Sequence, residues 1–218
     1  MTEIGKAHVT EGLATEYAAF AELVAQLDAA AWSAPTRCTG WQVRDVVGHV
    51  TGTAIDSADG TIGARTPDQQ ARALRDSTPQ ELAAALGAAA ARLGTAFDGF
   101  DDARWATVLP RTGRTVLNGV LTLWYDTFVH ADDIRAALGQ PSGRGPGLAA
   151  GVHWLRSELD RLERGPATLK LTGLETLEIG SGGPVVGGDP LQFLLVATGR
   201  LDPALLGLDE SFNVYSVR

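Results

Sequence analysis

Apolar positions recur at helical spacing along the first two thirds of the chain. Leu13, Tyr17, Phe20, Val24 and Leu27 alternate steps of four and three, which predicts a helix over about residues 9–29 with one face against a partner. Val43, Val46, Val47 and Val50 predict a second helix, opening near Thr39, where Thr39 and Gln42 have the spacing of a capping box; His49 lies at the edge of its apolar face. A third is predicted over 79–97, with Pro79 in its first turn after Thr78 or Ser77 and with Leu82, Leu86 and Leu93 turned inward. A fourth runs over 115–138 and is stopped by Gly139 with Pro141 just beyond. "SADGTIGARTPDQQ" reads as a loop, and "DGFDDARWATVLPRTGRTV" as a connection with a short extended piece near residues 105–109. Four helices in this length suffice for a four-helix bundle.

The rhythm changes after "GQPSGRGPG", whose Gly and Pro read as a linker between domains 1–140 and 141–218. A helix over 148–161 leads into "ATLKLTGLETLEIGSGGPVVGG", which alternates and turns like two or three short strands. Asp189 or Gly188 opens another helix, "PLQFLLVATG", and "LDPALLGL" allows one more short one. The fold class expected is α+β, mainly α: a four-helix bundle followed by a small α+β domain.

Composition narrows the function. The net charge of -8, with no basic stripe, argues against a nucleic-acid surface. Cys38 is the single cysteine, so there is no internal disulfide framework and a reducing cytoplasm is the expected setting. No apolar run approaches the ~20 residues of a membrane span, and the first residues lack the basic start and apolar core of a signal peptide.

The chemistry sits in "LTLWYDTFVHADDIRAAL". Asp126 and His130 are four apart, so they share one face of a helix that is otherwise apolar on most sides. A buried charge must be paired or bound. The pair is open to three readings: a structural carboxylate–imidazole contact, a solvated bundle end, or part of a metal site. His49, on the facing helix, supplies a third donor, and two imidazoles with one carboxylate suit a divalent cation with open positions. His8 lies near an end of the chain, and His153, beside Trp154, reads as structural.

"WSAPTRCTGWQVRDVVGHV" strongly resembles the N-terminal motif of the mycothiol-dependent maleylpyruvate isomerase family, one of the DinB-like metal-binding four-helix bundles. The matching residues are Trp32, Pro35 and Thr36, Cys38, Gly40 and Trp41, Val43 to Val46, and His49. "VHADDIRAALG" is similar to the family's second motif, and "GDPLQFLLVATGRLDPALLGLDESFNVY" to the sterol-carrier-like α+β domain often fused to these bundles. The resemblance implies zinc held by His49, His130 and a carboxylate one turn before His130. That carboxylate is Glu in the isomerase and Asp126 here, one methylene shorter. It also implies mycothiol as co-substrate: a thiol of ordinary pKa near ~8.5 becomes a thiolate on a metal and attacks an electrophilic carbon. Isomerisation follows by addition, rotation and elimination, and S-transfer by permanent addition. The abundance of Ala, Gly and Arg over Lys fits a high-GC, actinobacterial coding bias.

Among other residues, Asp45, one turn before His49, is expected to orient its second nitrogen, and Arg200 to bind a carboxylate of substrate or thiol. Cys38, Trp41 and Trp124 read as packed, and no catalytic side chain is assigned. The expected protein is a cytoplasmic monomer or homodimer whose partners are mycothiol and a small electrophile. Two competing readings are a non-catalytic binding or regulatory member with a degenerate site, and a metal-dependent hydrolase.

Overall fold

The computed structural model describes residues 4–216. They separate into two compact units, Met1–Ser142 and Gly143–Arg218. The first unit holds α1 (Lys6–Ala25), α2 (Ala29–Trp32), α3 (Val43–Ala58), α4 (Pro67–Ala73), α5 (Pro79–Asp98), α6 (Asp102–Ala106) and α7 (Val116–Ala137). The four long helices form a bundle in which α1 packs on α5 and α7, and α3 packs on the same two from the other side.

The caps explain the boundaries. Thr78 Oγ1 accepts from Glu81 N at 3.2 Å while the Glu81 carboxylate accepts from Thr78 N at 2.8 Å, with Pro79 pre-set for the first turn of α5. Thr66, Pro67 and Gln69 repeat that arrangement for α4, so the end of the "SADGTIGARTPDQQ" stretch, from Pro67 to Gln70, is helical where a loop was expected, and residues 59–66 are non-helical. α3 begins at Val43 and not near Thr39, because Asp45 closes its first turn by accepting from Gln42 N at 2.9 Å. Residues 33–42 instead form a tight loop pinned by a bridge between Pro35 and Gln42, with Gly40 in the left-handed region at φ 82°. Trp105 belongs to the short helix α6, and the extended piece is limited to a bridge between Val108 and Thr115.

Close approach between α1 and α7 depends on Gly12. A Cβ there would lie 2.2 Å from the Trp124 ring, whose own Nε1 donates to Glu16 at 3.2 Å. Gly12→Ala would normally help a helix by about 0.5–1 kcal/mol. Here overpacking wins, and a net loss of about 1–3 kcal/mol is expected, read as a lowered urea midpoint with unchanged m-value.

In the second unit, α8 (Pro146–Arg161) packs on α9 (Pro190–Ala197) and on a three-stranded sheet of β1 (Ala167–Leu171), β2 (Leu177–Ile179) and β3 (Val185–Gly188) in the order β2-β1-β3. β1 and β2 are antiparallel with Leu169 opposite Leu177; β1 and β3 are parallel with Leu169 opposite Val186. The helix expected in "LDPALLGL" is a 3-10 turn, Pro203–Leu206. Among the described residues no helix is long and apolar enough to cross a membrane.

Candidate metal centre

α3 delivers His49 and α7 delivers Asp126 and His130 to one spot inside the first unit. His49 Nε2 is 3.3 Å from Asp126 Oδ2, and His130 Nε2 is 3.5 Å from Asp126 Oδ1. The two imidazole rings are buried and lie nearly perpendicular, with centroids 5.1 Å apart. Asp126 keeps 19% of its side chain exposed, so the group opens on one side.

The surrounding hydrogen bonds fix where the imidazole protons are. Gln70 Nε2 donates to Asp56 Oδ2 at 2.8 Å, which turns Gln70 Oε1 toward His49 Nδ1, also at 2.8 Å. An amide oxygen only accepts, so His49 Nδ1 carries the proton. His130 Nδ1 faces Asp133 Oδ2 at 2.9 Å, and the carboxylate demands a proton there too. In the neutral rings both Nε2 atoms are then bare lone pairs aimed at a carboxylate. Three acceptors facing one another repel unless a metal ion lies among them or a proton sits on one of the Nε2 atoms.

The spacing also suits an ion. Zinc–nitrogen and zinc–oxygen bonds near 2.0–2.1 Å in a tetrahedron set neighbouring ligand atoms about 3.4 Å apart. The two observed nitrogen–oxygen separations fall on either side of that. Asp126, despite its shorter arm, reaches both rings. His49, Asp126 and His130 thus fit a divalent metal by donor chemistry as well as distance.

The hydrogen-bonded supports come from backbone approach. A Cβ on Gly52 would sit 2.8 Å from Gln70 Cβ, and one on Gly48 3.1 Å from the Ala71 carbonyl oxygen. These two glycines let α4 lie close on α3, which is what sets Gln70 against His49. On the other side, the loop before α3 places Arg37 between the fully buried Asp132 and Asp133, at 2.5 Å from each. A cavity of about 400 Å³ runs from His49 and Asp126 between α3, α5 and α7. A depression of about 520 Å³ in the second unit is larger; Arg144 pairs with Asp189 on its wall, and among the described residues it brings no set of metal-ligating groups together.

The mycothiol maleylpyruvate isomerase N-terminal domain model matches residues 13–135, more than half of the chain. The chain belongs to the mycothiol maleylpyruvate isomerase family. Two solved structures of the mycothiol-dependent maleylpyruvate isomerase, one of them a histidine-to-alanine mutant, are similar to it across 92% of this chain and 93% of theirs. Their TM-scores are 0.69 for the mutant and 0.67, each at 17% identity, a likeness that establishes the fold. No curated protein matches the chain.

The family's first motif now has a physical reading. Trp41, expected in the core, is half-buried over the site, with its ring centroid 5.3 Å from that of His49 and its Nε1 donating to Asp68 at 2.9 Å. Cys38, expected simply to be packed, lies at the rim: its thiol donates to Asp133 Oδ2 at 3.1 Å and is 4.0 Å from His130 Nδ1. Asp45 does not orient His49. Its carboxylate points back toward the start of α3, as side chains on a helix do, and is used there; Gln70 takes the orienting place. Arg200 follows α9 in the second unit, where its Nη1 is 3.4 Å from Thr198 O. Trp124 is core, His8 is exposed with its ring against Trp124, and His153 is half-buried on α8.

Without metal, burial works against a charged His49, but the Asp126 carboxylate, aided by Gln70, outweighs it and raises the pKa above the ordinary imidazole value. A raised folded pKa contributes stability that is complete below the unfolded value of about 6.5 and is lost as pH rises through the folded one. Metal binding runs the other way, because it needs neutral imidazoles. Melting of the metal-free protein is therefore expected to occur at lower temperature as pH rises from about 6 to 8, an effect missing in His49→Gln. The added stability from zinc is expected to grow over the same range. A zinc increment independent of pH would count against the assignment.

Proposed function

We propose that this protein is a metal- and mycothiol-dependent isomerase or thiol S-transferase acting on a small electrophile, with zinc held by His49, Asp126 and His130. The observation that carries the reading is the convergence of the Nε2 atoms of two imidazoles with one carboxylate, beside a cavity that His49 and Asp126 line. Held by these three side chains, a zinc ion would supply the Lewis acidity that lowers the pKa of a thiol bound to it.

The chain's own part is to prepare that place. Gln70 and Asp133 keep the imidazole protons on the outward nitrogens, and Asp56 and Arg37 hold those two side chains in turn. Trp41 covers the rings and excludes water from that side. The cavity lined by His49 and Asp126 has room for a small electrophile beside the residues that would hold the metal.

Cobalt(II) in place of zinc gives an optical test. Adding mycothiol to cobalt-loaded protein is expected to produce a thiolate-to-cobalt charge-transfer band and to release about one proton per site at pH 7. Metal binding with neither signal would remove the thiol chemistry and leave hydrolysis by bound water.

A further inference from the structure

The cavity that ends at His49 and Asp126 is walled mainly by carbon. Leu93 and Phe97 of α5, Phe100 and Leu109 of the following segment, and Val120 and Leu123 of α7 form its sides. Of its cations, Arg65 is paired with Asp56 at 2.5 Å and Arg114 also has a protein interaction, while the Arg104 side chain is exposed, its guanidinium 5.3 Å from the centre of the Phe100 ring. A substrate with two carboxylates would need such groups turned toward it, because buried charges must be paired. Size points the same way. An apolar cavity of about 150 Å³ holds a benzene, and this one measures about 400 Å³.

We propose that the electrophile has an aromatic or alicyclic body of about two rings, seated against these side chains with its reactive carbon at the metal end, and is not a small dicarboxylate. The reactive end of the proposal rests on the metal–thiol reading above; the body of the ligand does not.

Unreactive stand-ins separate the two. Titration calorimetry of the full chain, metal-free and zinc-loaded, would use 2-naphthylmethanol, benzyl alcohol and maleate. Naphthylmethanol is expected to bind at least about tenfold more tightly than benzyl alcohol, the effect of burying a second ring, and maleate more weakly than either, in both forms of the protein. Gly119 on α7 lines the same wall, and a Cβ there would meet Leu109 Cδ1 at 3.3 Å. Gly119→Leu fills the space, and Leu109→Asp places a charge in it at a half-buried position. Each is expected to weaken naphthylmethanol binding by about tenfold or more with zinc content unchanged. Maleate binding as tightly as naphthylmethanol, or folded variants that bind naphthylmethanol like the parent, would overturn the substrate class. Zinc and mycothiol binding without naphthylmethanol binding overturns the class alone. Naphthylmethanol binding without zinc or mycothiol binding supports the class and overturns only the metal–thiol reading.

Discussion

Alanine in place of His130 is expected to cost zinc affinity about two to three orders of magnitude while leaving the bundle folded. The size follows from apportioning the roughly 10–16 kcal/mol of a four-ligand zinc site, which gives about 2.5–4 kcal/mol per ligand. The fold should survive because the removed ring takes away a lone pair aimed at Asp126, and Asp133 keeps Arg37 and the Cys38 thiol as donors. His49→Ala should behave alike, leaving Gln70 with Thr53 Oγ1 at 3.0 Å and Asp56 at 2.8 Å as partners. His8→Ala, on the exposed side of α1, is the control and should retain zinc fully. Competition against a chromophoric chelator gives the affinities, and far-UV circular dichroism reports the fold. Equal zinc affinity in parent, His49→Ala and His130→Ala would end the metal assignment.

The sequence made some of this site visible and hid the rest for identifiable reasons. Asp126 and His130 declare themselves because helical periodicity alone puts residues four apart on one face. His49 was legible as a polar side chain at the edge of a valine stripe. Gln70 was not, because it falls in a Gly-rich polar stretch read as loop; yet Thr66, Pro67 and Gln69 there carry the same capping pattern as Thr78, Pro79 and Glu81, which marked α5. Gly48 and Gly52 could not be interpreted until α4 was known to lie on them. Asp133 is three residues from His130, a spacing that permits contact, but nothing in the local pattern tells which of two adjacent aspartates makes it. What buries them is Arg37, which is 95 and 96 residues away in the chain. That dependence on a distant loop is also why Trp41 and Cys38 looked like core: local pattern reports that a residue is covered, and not by what.

Asp133→Asn is the second change of large expected effect, and its logic lies in the proton inventory. Asp133 accepts from His130 Nδ1 at 2.9 Å, Arg37 Nε at 2.5 Å and Cys38 Sγ at 3.1 Å, and it is fully buried. An amide cannot serve all three. With its oxygen toward His130, its NH₂ group confronts the guanidinium; with its NH₂ toward His130, it forces Nδ1 to accept and moves the imidazole proton to Nε2, the nitrogen that faces Asp126. Either outcome is expected to lower zinc affinity by about 10–100-fold. The stability loss should be about 1–3 kcal/mol, below the ~3–5 kcal/mol of a fully isolated buried charge, because the Arg37 side chain is 25% exposed and retains Asp132. Asp132→Asn distinguishes positioning from plain destabilisation. Asp132 is equally buried and also binds Arg37, yet it makes no contact with either imidazole among the described hydrogen bonds. It should lower the melting temperature with little change in zinc affinity, whereas Asp133→Asn should lower both. Parallel losses of affinity in the two variants would mean that Arg37 and its partners merely hold the loop, and that His130 finds its tautomer without Asp133.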